Sequence, residues 1–505
     1  MFKSVSILSV LALCGATAAC SLSTSDGKDD ASGPASGGPG AIGGGGPSAS
    51  GTNPANASGA TANLRVVHAS PDAPKVDVYA KGIAEPLLRD VAFGDTSAYL
   101  KVPTGPVTIE LRAAPSKATD PVAYATGQLT IEKDATITAI AAGLLASKDS
   151  KSAFRVLPMI EKFRAPAKGS AIVRVVHASA DAPTVGIDVG NDDPTAPEVA
   201  ALSRFDDTGE GGVALPAGAP LALGITAGGA RVTSFTAPAL PDGAEIFVIA
   251  TGLVGKLPRL GDGFSLLAIG PKGTIGFIKQ DPTVYALHAS PDAPAIDGFV
   301  GTAKLVDDLA FGKLSSPIQV APGSYDLDIF GHTDGHARPT GSAVATKKLG
   351  ALAAGERYLA VASGFLAPNA GEQGFRLSTY KDEFAVDNTT GAELRAVHAS
   401  PDAPNVDIGL VSGLSVTPVF KDIAFGNASN EGAVPAAGPL SLGVTPTGQS
   451  GVIAARFSVT PSAGGRGFAV AAGTLSPHRS TNTFRLLVVD TAAQPWSVTA
   501  VHPTH

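Results

Sequence analysis

The chain has 505 residues and a net charge of −7, from 37 Lys and Arg against 44 Asp and Glu. A nucleic-acid binder needs a positive face to neutralise phosphates, so that class is excluded. Gly and Pro, 60 and 39 residues, are about a fifth of the chain, which excludes a coiled coil or long-helix protein, and at ~150 residues per domain the length suggests three or four domains.

The only cysteines are Cys14 and Cys20. Lys3 and the apolar run Val5 to Leu13 precede them, followed by Ala16-Thr17-Ala18-Ala19. The run is too short to cross ~30 Å of hydrocarbon, so residues 1–19 read as a signal peptide and not a membrane span. The step Ala18-Ala19-Cys20 resembles the lipobox of bacterial lipoproteins, which implies cleavage before Cys20 and acylation of its thiol. Thr17 stands where that motif has Leu, so a plain secretory signal is the alternative. Ser21, rather than Asp, is the pattern that resemblance associates with the outer membrane. Residues 21–62 are Gly, Ser, Ala, Pro, Thr and Asn with few charges, and from Ala31 to Ala62 the only aliphatic side chain larger than Ala is Ile42. Such a segment buries too little apolar area to order itself, and is expected to be a disordered tether with a reach of roughly 35 Å.

Beyond the tether the chain repeats itself. The string Arg65-Val66-Val67-His68-Ala69-Ser70-Pro71-Asp72-Ala73-Pro74 recurs around His177 with Asp181, His288 with Asp292, and His398 with Asp402. The histidines at 68, 177, 288 and 398 are 109, 111 and 110 residues apart, a period of whole domains. An Ala-Phe-Gly step follows at 92–94, 310–312 and 424–426, with Arg204-Phe205-Asp206 as its expected counterpart in the second copy. A small-residue run then ends at Gly143, Gly252, Gly364 and Gly473, leading into Phe154, Phe264, Phe375 and Phe484. The register predicts repeats over 63–166, 167–281, 282–390 and 391–498.

Within each repeat the elements read as β. Val76 and Val78, then Val107, Ile109 and Leu111, alternate with polar neighbours, the period-two pattern of half-buried strands. Turns such as Val102-Pro103-Thr104-Gly105-Pro106 punctuate them. Short alternating strands in a ~110-residue unit predict an all-β fold of four tandem antiparallel Ig-like sandwiches. The His-Ala-Ser-Pro-Asp-Ala-Pro-x-Val-Asp string, with Ala-Phe-Gly and the Ala-rich run, resembles the domain-of-unknown-function 4397 family over roughly residues 63–495. That resemblance implies tandem Ig-like domains of bacterial secreted and surface proteins, and no assigned reaction. The second repeat departs most, with Ala180 for Pro and Gly186 where the first has Asp77.

Ser70-Pro71-Asp72-Ala73 suits a β-turn, because Pro fixes one central dihedral and Asp tolerates the next. His68, at the end of a Val-rich strand, is expected to tie that turn down. The competing reading makes His68 with Asp72 or Asp77 a metal site or a base, but zinc needs three or four converging ligands. Repetition in every copy favours the structural reading, since catalysis rarely needs four identical centres. His332-Thr333-Asp334-Gly335-His336 reads as a solvated insertion, with a transition-metal site as its alternative. Asn191-Asp192-Asp193 lacks the spacing of a calcium loop. Asp326 and Asp328 are expected to face solvent, and Trp496 to close the last repeat's core. Tyr79, Tyr99 and Tyr124 are too scattered for a carbohydrate strip. No hydrolase elbow, zincin pair or phosphate loop occurs.

The sequence thus predicts a lipid-anchored envelope protein of the outer membrane, at its periplasmic face or the cell surface. No catalytic residue, cofactor or metal is expected. Its partners would be the membrane, through the anchor, and a surface protein or polysaccharide, met by four extended domains acting multivalently. Labelled fatty acid should enter the wild-type protein and be lost in Cys20→Ser; label persisting in that variant would refute acylation at this residue.

Overall fold

The computed structural model describes residues 59–504; the signal peptide, Cys20 and nearly all of the tether lie outside the described residues. Among the described residues all regular structure is β-strand, and no helix is long and apolar enough to cross a membrane. In the first repeat one sheet has the order Arg155–Ile160, Thr136–Ala142, Thr61–His68, Leu100–Pro103. The other runs Leu88–Val91, Val76–Ala80, Ile109–Ala113, Tyr124–Ala125. Val66, Ala139, Val78, Leu88 and Leu111 meet between them. Both orders recur in the later repeats, with Ser170–His177, Thr283–His288 and Gly391–Ala399 as the histidine strands. The second and fourth repeats add a fifth strand, Gly273–Lys279 and Ser497–Val501. The first histidine strand starts before residue 63 and the last strand runs past 498, so the outer limits shift by two or three residues.

The strictly antiparallel expectation is corrected in one respect. Each histidine strand runs parallel to the small-residue strand, with His68 opposite Ala141, His177 opposite Ala250, His288 opposite Ala362 and His398 opposite Ala471. Parallel neighbours need a long crossover, and in the first repeat the whole second sheet lies between them in the chain. Both strands therefore end at the same edge of the sheet, which brings segments about 75 residues apart together.

These paired strands are apolar on both faces, as strands covered on both sides are. Val66 and Ala139 face their own sandwich, whereas Val67, Ile140 and Ala142 face the second repeat, against Val176, Phe247, Ile249, Leu267 and Ile269. The third and fourth repeats meet in the same way, through Leu287, Leu359 and Val361 against Val397, Phe468, Val470 and Leu487. At ~1.5–3 kcal/mol for each large apolar side chain buried, such a face outweighs any polar contact at its rim. The repeats form two face-to-face pairs, which corrects the extended string of separate domains.

Each pairing is nearly reciprocal, the signature of two-fold interfaces. Arg65 Nη1 donates to the Gly270 carbonyl and Arg174 Nη1 to that of Ile160, both at 2.7 Å. Phe205 lies under the Arg155 guanidinium at 4.0 Å, while Phe311 lies under Arg485 and Phe425 under Arg376 at 5.2 and 4.9 Å. The junction between the pairs is polar instead: Gln319 accepts from the Ser234 amide at 3.1 Å and donates through Nε2 to Thr233 Oγ1 at 3.2 Å.

Trp496 does not close the core of its own repeat. Tyr285, of the third repeat, occupies the position that Arg65 and Arg174 hold, and Trp496 stacks on it with centroids 4.4 Å apart and rings 8° from parallel. Trp496→Ala should therefore lower stability by about 3–5 kcal/mol, the usual loss for an aromatic-to-alanine cavity, measured by urea unfolding followed by circular dichroism. A loss below about 1 kcal/mol would show that the indole is not part of a packed interface.

Candidate functional site

The four motif histidines are buried, none more than 1% exposed. Strand and turn fix each ring. His68 Nε2 meets the Pro74 carbonyl at 3.1 Å, and His177, His288 and His398 meet those of Pro183, Pro294 and Pro404 at 2.9 Å. A carbonyl only accepts, so Nε2 carries the proton and Nδ1 is left as an acceptor. The amides of Ser70, Ser290 and Ser400 donate to it at 3.3–3.4 Å. In the second repeat Nδ1 of His177 has no partner.

The serine and aspartate reach across to the neighbouring strand end. Ser70 Oγ donates to the Gly143 carbonyl at 2.7 Å, and the Asp72 carboxylate accepts from the Leu145 and Ala146 amides at 2.8 and 2.9 Å. Asp181 accepts from Val254 and Gly255, Asp292 from Leu366 and Ala367, and Asp402 from Leu475 and Ser476. The glycine ending each small-residue run has no substitute, because Gly143 has φ +84° and a Cβ there would lie 2.5 Å from the Ala153 carbonyl oxygen. The motif thus clips together the two loops that the parallel strands bring to one edge.

The second aspartate of the motif has a role that spacing did not reveal. Asp77, 1% exposed, accepts from the amides of Asp90 and Ser116 at 2.9 and 2.8 Å. Asp297 accepts likewise from Asp308 and Thr333, and Asp407 from Asp422 and Gly448. Asp90, Asp308 and Asp422 have left-handed backbones, φ 55°, 47° and 49°, which the buried carboxylate holds in place. Gly186 leaves the second repeat without this clamp.

The Ala-Phe-Gly corner also differs there. The amides of Gly94, Gly312 and Gly426 donate to the carbonyls of His68, His288 and His398, but it is the Phe205 amide that donates to His177. Phe205 consequently fills the glycine position, with φ 71°, and not the phenylalanine position that the sequence register assigned to it. Phe93, Phe311 and Phe425 set their rings edge-on to the histidines at 6.0–6.3 Å.

Three carboxylate and imidazole groups converge outside the repeated turn. Asp297, Asp307 and His332 each offer a ligand atom within 4.8 Å of the others. His332 Nδ1 lies 2.9 Å from Asp297 Oδ1, and Lys304 Nζ lies 2.9 Å from Asp297 Oδ2 and also bonds Asp307. Burial alone would raise the Asp297 carboxyl, but the bonds from His332, the Asp308 amide, Lys304 and the Thr333 amide hold it well below the carboxylate range. The Lys304 ammonium already neutralises the position a metal would take. His332 therefore docks onto its own repeat, in contrast to the solvated insertion expected, while His336 stays exposed. Asp328 pairs with Arg338 at 2.7 Å and only Asp326 faces solvent. Asp193 binds Thr195 beside it. Tyr79 is buried, with its hydroxyl on Ser116.

Chambers lie inside three of the sandwiches, mainly apolar in the first and second, and lined also by Arg466, Asp490, Ser497 and Thr499 in the fourth. They measure about 300 Å³ in the first repeat, 320 Å³ in the second and 380 Å³ in the fourth, whereas voids in the third are about 20 and 30 Å³. One strand position accounts for the series. Opposite Leu64, Val173, Val284 and Leu394 stand Ile137, Ile246, Tyr358 and Gly467. Tyr358 fills the third repeat and accepts from the Ala353 amide at 3.0 Å; Tyr325 helps, where the second repeat has Leu221.

All-β architecture with a clipped His-Ser-Asp turn in every repeat defines a tandem-domain protein of one family. The family model described as Domain of unknown function (DUF4397) matches residues 62–188 and 282–409, together just over half of the chain, and the chain belongs to that family. The first match starts in the histidine strand Thr61–His68 and the second one residue before Thr283–His288, and each ends in the second strand of the next repeat, within one face-to-face pair. No curated protein matches the chain.

Burial pushes all four motif imidazoles below the ordinary histidine value of 6.5. The unfolded chain then binds these protons first, so the stability is complete above 6.5 and falls as the pH drops below it. His332, raised chiefly by its bond to Asp297, works in the opposite sense and loses its contribution as the pH rises through its folded value. Urea unfolding between pH 6.5 and about 5 should show stability falling by about 1.4 kcal/mol per pH unit for each buried histidine that stays neutral. Single changes such as His68→Gln or His398→Gln should remove one such contribution, about a quarter of the slope summed over the four histidines. A flat profile would mean that the rings protonate in place.

Proposed function

We propose that the protein is a lipid-anchored cell-envelope protein with a non-catalytic interaction or structural role. Its ectodomain is read as four Ig-like β-sandwich domains, over about 63–166, 167–281, 282–390 and 391–498, acting as two rigid pairs. The observation that carries this reading is the internal use of the repeated motif. In each repeat the Nε2 of the buried histidine, the serine hydroxyl and the aspartate carboxylate all bind their own domain, which leaves no converging set of groups for a substrate. Rigid pairs then present loops to a partner, as sandwich scaffolds commonly do. The anchor rests on the Ala18-Ala19-Cys20 step and the tether, and the outer-membrane address on Ser21.

The competing reading, a metal-dependent binder or enzyme built on the His/Asp motif, makes a distinct prediction. Elemental analysis of the purified full chain should return no stoichiometric metal, and His288→Ala should lower the melting temperature without changing metal content. Stoichiometric zinc or copper that disappears with that substitution would overturn the proposal. Cross-linking on intact cells should capture a surface protein or polysaccharide through the loops.

A further inference from the structure

The chamber of the second repeat differs from an ordinary packing defect in three ways. Its walls come from both sheets and are aliphatic or aromatic throughout, including Val175, Ile187, Leu223, Ile246 and Phe264; His177 is the only polar side chain among them. It is open at one side, where Pro238, Pro241 and Ile275 form the lip, and Ile275 is 61% exposed, unusual for an isoleucine. The third repeat, built on the same strand order, closes the equivalent space with Tyr358 and Tyr325.

We infer that this chamber is a binding site for a single aliphatic chain, the tail of a fatty acid or of a lipid. Sheets stacked about 10 Å apart, with side chains on both inner faces, leave a slot for a chain and exclude a folded polypeptide. At ~30 Å³ for a group the size of water, 320 Å³ holds about ten methylene-sized groups. No charged side chain lines it, so a sugar, nucleotide or metal finds no partner there. The free Nδ1 of His177 is buried and is an acceptor, because Nε2 binds the Pro183 carbonyl. That nitrogen has no accessible surface, so the chamber takes the apolar chain alone and the head group stays at the open side. This site is separate from the display role proposed above and does not depend on it.

The test uses the full chain and a dodecanoic acid bearing a photoreactive diazirine near its tail. Irradiation followed by peptide mapping should place label on the strands Ser170–His177, Leu221–Ala227 and Glu245–Thr251, saturably and in competition with unlabelled dodecanoate. Ile246→Tyr, and separately Leu221→Tyr, import the plugging of the third repeat and should each reduce that labelling at least tenfold while circular dichroism and melting stay near wild type. Should one variant fail to fold, the other decides. Phosphatidylcholine vesicles that compete as well as dodecanoate identify a lipid tail; competition by dodecanoate alone identifies the free acid. Label that does not saturate, falls on exterior peptides, or is unchanged in the folded tyrosine variants overturns the inference.

Discussion

The structure depends on one constraint: the histidine strand and its parallel neighbour are covered on both faces. One face is covered by the sandwich's own second sheet, the other by the neighbouring repeat. Double cover demands apolar side chains at consecutive positions, hence Val66-Val67 and Ala139-Ile140-Ala141-Ala142. It also removes water from the strand ends, so polar groups there must be bonded within the protein. The imidazole, serine and aspartate of the motif meet that demand, and burial keeps the imidazole neutral.

The same constraint produces the chambers. Interior-facing positions of the small-residue strand are alanine in the first and fourth repeats, at Ala139, Ala141, Ala469 and Ala471, and Val248 with Ala250 in the second, and they leave space between the sheets. Whether the space is filled is settled by the next residue along, through Tyr358 in one repeat and Ile246 or Gly467 in others. Divergence among the repeats is therefore concentrated where it alters internal volume, while the turn that clips the strand ends is kept nearly intact. The second repeat lacks the Asp77 clamp, the edge-on phenylalanine and the serine amide on Nδ1, and holds the most uniformly apolar chamber.

Pairing alters what the protein can present. Arginine and phenylalanine side chains exchanged across each junction make a pair behave as one body, whereas the polar contacts of Gln319 join the pairs to each other. Isologous geometry arises here within one chain, since two copies of one surface meet as in a homodimer. The fifth strands Gly273–Lys279 and Ser497–Val501 lie only in the second member of each pair, and they carry Phe277 and, at its start, Trp496 onto the first member.

The repeats, the all-β class and the turn at Ser70-Pro71-Asp72-Ala73 were legible in the sequence, because period-two alternation, Pro and Gly punctuation and exact recurrence are local or self-referential signals. The repeat register also marked His68, Asp72 and their equivalents as a set. Their partners were not legible: Asp72 binds amides 73 and 74 residues away, and the sequence has no period linking a carboxylate to a backbone N–H. Phe205 was placed one position off because it was matched by residue type, and in the second repeat a phenylalanine stands in the glycine position. Parallel strand order, the face-to-face pairs, the stacking of Trp496 on Tyr285 and the chambers were decided by tertiary structure alone. Each depends on which face of a strand meets which distant surface, and a strand buried on both sides reads as a continuous apolar run that names neither neighbour.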